Sequence, residues 1–130
     1  MSLSFRTAGE GDREFVRSVS AAVFSIYGDY EETLPRWLLD PWVVTVIAEE
    51  GGEPAGFAML QFGPRGIWEN SLGELLAIAV NPDRQGEGVG KALLNCVEDL
   101  ARHSLLKRIQ LHTAETNTAG RALFQSMGYR

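Results

Sequence analysis

The chain has 130 residues, 12 Lys and Arg against 17 Asp and Glu, a formal charge of −5 and 45% hydrophobic side chains. That size and composition suit a single domain over residues 1–130 with its own core. An acidic balance without a basic cluster argues against an extended nucleic-acid surface, and no apolar run reaches bilayer length. The single cysteine, Cys96, rules out an intrachain disulfide, fits a reducing, cytoplasmic setting, and reads as a small buried hydrophobe.

Ser4 to Thr7 has the pattern of a short first strand. Asp12 stands where an N-cap belongs, because Phe15, Val16, Val19 and Val23 follow at helical spacing. Tyr27 to Tyr30 reads as a break, and Glu31 to Leu39 as a second short helix with Pro35 in its first turn, ended by Asp40-Pro41. The β-branched run Val43 to Ala48 and the run Ala55 to Phe62 flank Gly51-Gly52, which predicts an antiparallel hairpin. Leu72 to Val80 is apolar on both faces apart from Glu74 and reads as a buried central strand. Val89, Leu93, Val97 and Leu100 mark one face of a long helix. Arg108 to Thr113 is a further strand, and Thr118 to Met127 a last helix closed by Gly128. The order β-α-α-β-β-β-α-β-α describes an α/β domain. Its mixed central sheet, flanked by helices, has an antiparallel and a parallel half.

Between the central strand and the long helix lies Asn81-Pro82-Asp83-Arg84-Gln85-Gly86-Glu87-Gly88-Val89-Gly90-Lys91. Glycines set close together at a helix start let an anion lie against bare backbone N–H groups. A Walker loop needs glycine five residues before Gly90 and Ser or Thr after Lys91, but Gln85 and Ala92 stand there. A dinucleotide fingerprint needs its third glycine at Lys91 and an acid near position 108, which is Arg. The pattern Gln/Arg-x-x-Gly-x-Gly/Ala is satisfied in full by Gln85, Gly88 and Gly90.

With that loop, the sequence resembles the GNAT superfamily of acetyl-CoA-dependent N-acetyltransferases. Leu76-Ala77-Ile78-Ala79-Val80-Asn81-Pro82 is similar to the family's fourth strand and the turn after it. The segment from Asn117 to Tyr129 resembles a second family motif, matching at Asn117, Leu123, Gly128 and Tyr129. The resemblance implies acetyl-CoA as acyl donor, an amine as acceptor and no metal. It implies that the backbone of Gln85, Gly86, Glu87, Gly88, Val89 and Gly90 holds the CoA diphosphate, with Arg84 and Lys91 adding charge. Main chain at Ile78, Ala79 and Val80 would hold the pantetheine arm, with a backbone N–H facing the thioester oxygen. Asn117 is similar to the family's pantetheine-binding Asn, although Asn also suits a helix cap.

An amine is mostly protonated at neutral pH, so attack on a thioester needs a base. Glu74 is the candidate, as the only charge in its strand, with Glu69 a weaker alternative. Without a bulge Glu74 would share a face with Leu76, Ile78 and Val80, and a bulge would change that.

Two features depart from the family. Phe124 stands where many members carry a Tyr that protonates the leaving thiolate, so it is expected only to pack on the cofactor, with Ser126 or Tyr129 as other hydroxyls. The given residues also stop where members usually continue with two more strands: either those strands lie beyond the given residues, or they are missing and an edge is open to pairing, so both a monomer and a homodimer are expected. Two further readings stay open: a non-catalytic acyl-CoA sensor, motivated by Phe124, and a nucleotide-binding domain of another type.

Overall fold

β-Branched side chains crowd a helix but suit a pleated surface. Residues 43–50, rich in Val and Ile, accordingly form the second strand of a sheet. The computed structural model describes residues 3–24, 30–61, 72–103 and 108–111. Its strands are β1 (Ser4–Thr7), β2 (Val43–Glu50), β3 (Glu53–Gln61), β4 (Leu72–Val80) and β5 (Arg108–Leu111). They lie side by side in chain order. Pairs from β1 to β4 are antiparallel, and β4 and β5 are parallel. The sheet is mixed, with β4 between β3 and β5.

Helices α1 (Arg13–Phe24) and α2 (Tyr30–Trp37) pack on one face of this sheet and α3 (Val89–His103) on the other. The first face joins Val16, Val19 and Leu34 to Ile47, Phe57, Met59, Ala77 and Ala79. The second joins Ala58, Leu60 and Leu75 to Val89, Leu93, Leu94 and Val97. Cys96 is half-buried beside this second cluster rather than fully enclosed, and burial, followed by nearby Asp99, raises its thiol pKa. The expected final helix at 118–127 lies outside the described residues.

Several local details differ from the sequence expectation. Gly9, not Asp12, opens the first helical turn, a short 3-10 segment at Glu10–Asp12 that leads into α1. Asp12 instead reaches back: its Oδ2 accepts the Gly9 N–H at 2.9 Å. Both its oxygens also receive the Arg6 guanidinium, at 2.8 and 2.7 Å, and Arg6 Nε donates to Glu49 at 3.1 Å. Pro35 lies in the second turn of α2, not the first, because the helix starts at Tyr30. Its ring is buried beside Leu34, which offsets the backbone hydrogen bond it cannot make. Asp40 ends this segment with its carboxylate on the Trp42 N–H at 2.8 Å. The hairpin turn is Gly51-Gly52, both with positive φ of 60° and 84°, as a two-residue hairpin turn of this type requires.

Two predictions follow from these contacts. A Cβ on Gly56 would stand 2.7 Å from the Ala79 carbonyl oxygen and 3.1 Å from Leu93 Cδ1. Gly56→Ala should therefore lose about 1–3 kcal/mol in urea unfolding, because the first contact is backbone that cannot swing aside. The second concerns Asp12, whose carboxyl is held below the usual range, chiefly by its hydrogen bonds to Arg6. A lowered folded pKa adds stability above the unfolded value of about 4 and loses it as pH falls toward the folded value. The stability gap between wild type and Asp12→Asn should thus be flat at neutral pH and close in acid. A gap that widens in acid would contradict the assignment.

Candidate active site

The register of β4 against β3 changes partway. Ala58 pairs with Ile78 and Met59 with Ala77, but Leu60 pairs with Leu75 and Gln61 with Glu74. Leu76 is the extra residue, a β-bulge. Its effect is to reverse the phase of everything before it. Gln61 alternates with Phe57 and Met59 on the α1/α2 face, so its partner Glu74 lies on that face too. Ile78 and Val80 turn their side chains to the α3 cluster. Glu74 is half-buried and stands on the opposite face from them, where an unbroken strand would have put all three together.

The same ladder fixes which backbone groups are spent. The Asn81 N–H donates to the Ala55 carbonyl at 2.8 Å, one step beyond the Gly56–Val80 pair. In an antiparallel ladder this makes Gly56–Val80 a non-hydrogen-bonded pair, so the main-chain groups of Val80 and Ile78 face away from β3. Ala79 lies between them and turns its own main-chain groups toward β3. The parallel ladder with β5 covers Leu72 to Leu75. Among the described residues, the far edge of β4 from Leu76 to Val80 has no strand beside it. Gln85 touches this edge, its Nε2 donating to the Val80 carbonyl at 3.3 Å.

Immediately beyond lies the glycine loop. Asn81 caps a short 3-10 turn, Pro82–Arg84, its Oδ1 accepting the Asp83 N–H at 3.2 Å. Gly86 and Gly88 then adopt φ of 83° and 86°, which only glycine takes up without strain. Among the described residues, a Cβ on either would meet nothing within 4 Å, so none of them fills the space over the loop. The first bond of α3 runs from the Ala92 N–H to the Gly88 carbonyl at 3.1 Å. The N–H groups of Val89, Gly90 and Lys91 therefore have no intrahelical acceptor and carry the positive end of the helix dipole. Gly90 itself is helical; its use is to keep the first turn bare. Val89 buries its side chain under α3, and Lys91 is exposed. An anion fits this cradle.

Arg84, expected to add charge for an anion, is paired with two carboxylates. Arg84 Nη2 lies 2.5 Å from Glu50 and its Nε 3.0 Å from Glu87. These partners, Glu87 first, raise the guanidinium pKa further. Glu50, at the end of β2, had no signal in the sequence: nothing in local spacing ties it to a residue 34 positions on. Asn117, Phe124, Glu69, Ser126 and Tyr129 lie outside the described residues. Among the described residues, no three His, Cys, Asp or Glu gather as metal ligands, and no helix is long and apolar enough to cross a membrane.

Residues 13–129 match the Acetyltransferase (GNAT) family. The chain belongs to that family. Among curated relatives, mycothiol acetyltransferase from Kocuria rhizophila is 30% identical over 105 residues, which is 78% of this chain and 34% of the relative. This GNAT chain spans about a third of the length of the curated relatives it matches. Among solved structures, the ribosomal-protein-alanine N-acetyltransferase from Brucella melitensis biovar Abortus aligns with a TM-score of 0.82 at 18% identity, covering 99% of this chain and 92% of that one. The PaiA N-acetyltransferase from Thermoplasma acidophilum, in complex with coenzyme A, aligns at 0.79 and 17%, covering 100% and 91%. At these identities the two structures show a shared fold.

One prediction belongs to the cradle. Gly88→Ala forces a side chain into the left-handed region, at about 1 kcal/mol of stability. It also places a methyl in the space over the helix end. CoA affinity should therefore fall by more than the fold does, read by calorimetry beside urea unfolding. An equal loss in both would mean the loop is only a turn.

Proposed function

We propose that this GNAT domain transfers an acetyl group from acetyl-CoA to a primary amine by direct attack in a ternary complex. The observation that carries the reading is one juxtaposition. The outward-facing backbone of Ile78 and Val80 leads straight into the left-handed glycines and bare N–H groups that open α3. An extended arm hydrogen-bonds to the first, and a diphosphate sits on the second. The Thermoplasma neighbour, solved with coenzyme A, supports the same donor. Asn117 and Phe124 complete the proposed donor contacts, on the strength of their motif.

On this reading acetyl-CoA supplies the activated acyl group, and the chain supplies position and proton transfer. Holding amine and thioester together is the larger part of the rate, since it turns a two-body encounter into a local one. Glu74 is the proposed base. The Leu76 bulge sets it on the α1/α2 face, apart from the side chains of Ile78 and Val80, so an amine reaches it from the helix-covered side. The acceptor class is set by that side. Protein N-termini, lysine, polyamines, aminoglycosides and small amine metabolites form the panel to test.

Thiol release from acetyl-CoA over that panel is the deciding measurement. Glu74→Gln should lower kcat about 100-fold or more, with little change in the KM for acetyl-CoA, as expected for loss of a general base. CoA binding without turnover on any amine would replace the transferase by the acyl-CoA sensor that Phe124 suggests. Tight binding of ATP or NAD but not CoA would overturn the donor assignment.

A further inference from the structure

A carboxylate inside a diphosphate loop is a chemical contradiction, and this loop has one. Glu87 sits between the two left-handed glycines, and Glu50 ends β2 close by. Each would repel a bound diphosphate. Both are instead turned onto Arg84, Glu50 Oε1 at 2.5 Å from Nη2 and Glu87 Oε1 at 3.0 Å from Nε. The Arg84 side chain is only 20% exposed, while its partners are 34% and 43% exposed. Its backbone is fixed as well, because the Arg84 N–H donates to the Asn81 carbonyl at 2.8 Å within the 3-10 turn. The guanidinium thus leaves a rigid base and is committed on two sides before any ligand arrives.

We propose that Arg84 serves the diphosphate site by neutralising Glu50 and Glu87 and not by binding the diphosphate itself. The inference rests on the reading of the loop as a CoA cradle. Arg84 is a positioning residue here: it acts through two carboxylates, and the anion is left to the backbone N–H groups of the loop and of the first turn of α3. Removing Arg84 takes the guanidinium from two carboxylates beside an anion site, at separations where such charges interact strongly. Removing the carboxylates with it takes the repulsion away. A residue that gripped phosphate directly would show no such recovery.

The test is the Kd of CoA by calorimetry for wild type, Arg84→Ala, and the triple variant Arg84→Ala/Glu50→Gln/Glu87→Gln, at low and high salt, with urea midpoints alongside. Arg84→Ala should weaken CoA binding about tenfold or more at low salt, and the penalty should shrink at high salt as the carboxylates are screened. The triple variant should return to within about threefold of wild type, because removing both members of an electrostatic pairing removes their coupling. A triple variant as weak as Arg84→Ala overturns the inference, since it would mean that Arg84 itself holds phosphate or only braces the fold. So does an Arg84→Ala variant that binds CoA like wild type. Failure of the wild-type chain to bind CoA saturably overturns this inference and the proposed function together, whereas the variant outcomes bear on Arg84 alone.

Discussion

Leu76 is one residue more than β3 can match, and much of the candidate site follows from that surplus. The period of a strand is two, so an extra residue exchanges the faces of everything on one side of it. Leu75 stays in the α3 cluster while Glu74 is delivered to the α1/α2 face. On the other side of the bulge, Ile78 and Val80 keep their side chains under α3 and their backbone groups at the open edge. Acid, edge and cradle are thus distributed by one local irregularity in a strand that is otherwise ordinary core. The tight approach of Gly56 to Ala79 and Leu93 holds the far end of the same strand in register.

Electrostatics then divide the labour between backbone and side chains. The part of the candidate site proposed to face an anion is built from N–H groups and a helix terminus, which hold their polarity at any pH. Charged side chains are paired among themselves: Arg6 with Asp12 and Glu49 at one corner, Arg84 with Glu50 and Glu87 at another. Both arginines link an end of β2 to a turn that precedes a helix. In each case a short 3-10 turn is tied to the sheet by a guanidinium fork, a geometry that lysine does not reproduce.

Much of this architecture was legible in the residues. Gly51-Gly52 between β-branched runs announced the hairpin, and the unbroken apolar run at 72–80 announced a strand covered on both faces. The spacing of Gln85, Gly88 and Gly90 announced the loop, because backbone conformation is a local property that glycine reports directly. What stayed hidden is non-local. A bulge exists only relative to a partner strand, so no inspection of Leu76 alone reveals which face Glu74 takes. Glu50 meets Arg84 only after the hairpin has folded. Asp12 looked like a simple cap because its partner, Arg6, is reached across a turn and not along a helix. Pro35 was misplaced by one turn because the burial that tolerates it is tertiary.

The chain order of the strands has a kinetic side. Each antiparallel join from β1 to β4 links consecutive strands, the tightest across only Gly51 and Gly52. Two joins are long-range: Thr7 meets Val46 39 residues on, and Leu75 meets Leu111 only after the chain has travelled 36 residues through the loop and α3. By flexible-loop scaling either closure costs on the order of 2–3 kcal/mol more entropy than a two-residue one. The seam along β4, where the cofactor arm is proposed to lie, is therefore one of the two costly junctions in the sheet, beside the β1–β2 join. A ligand laid along it would act as a splice, supplying hydrogen bonds beside a junction that the polypeptide closes only at long range.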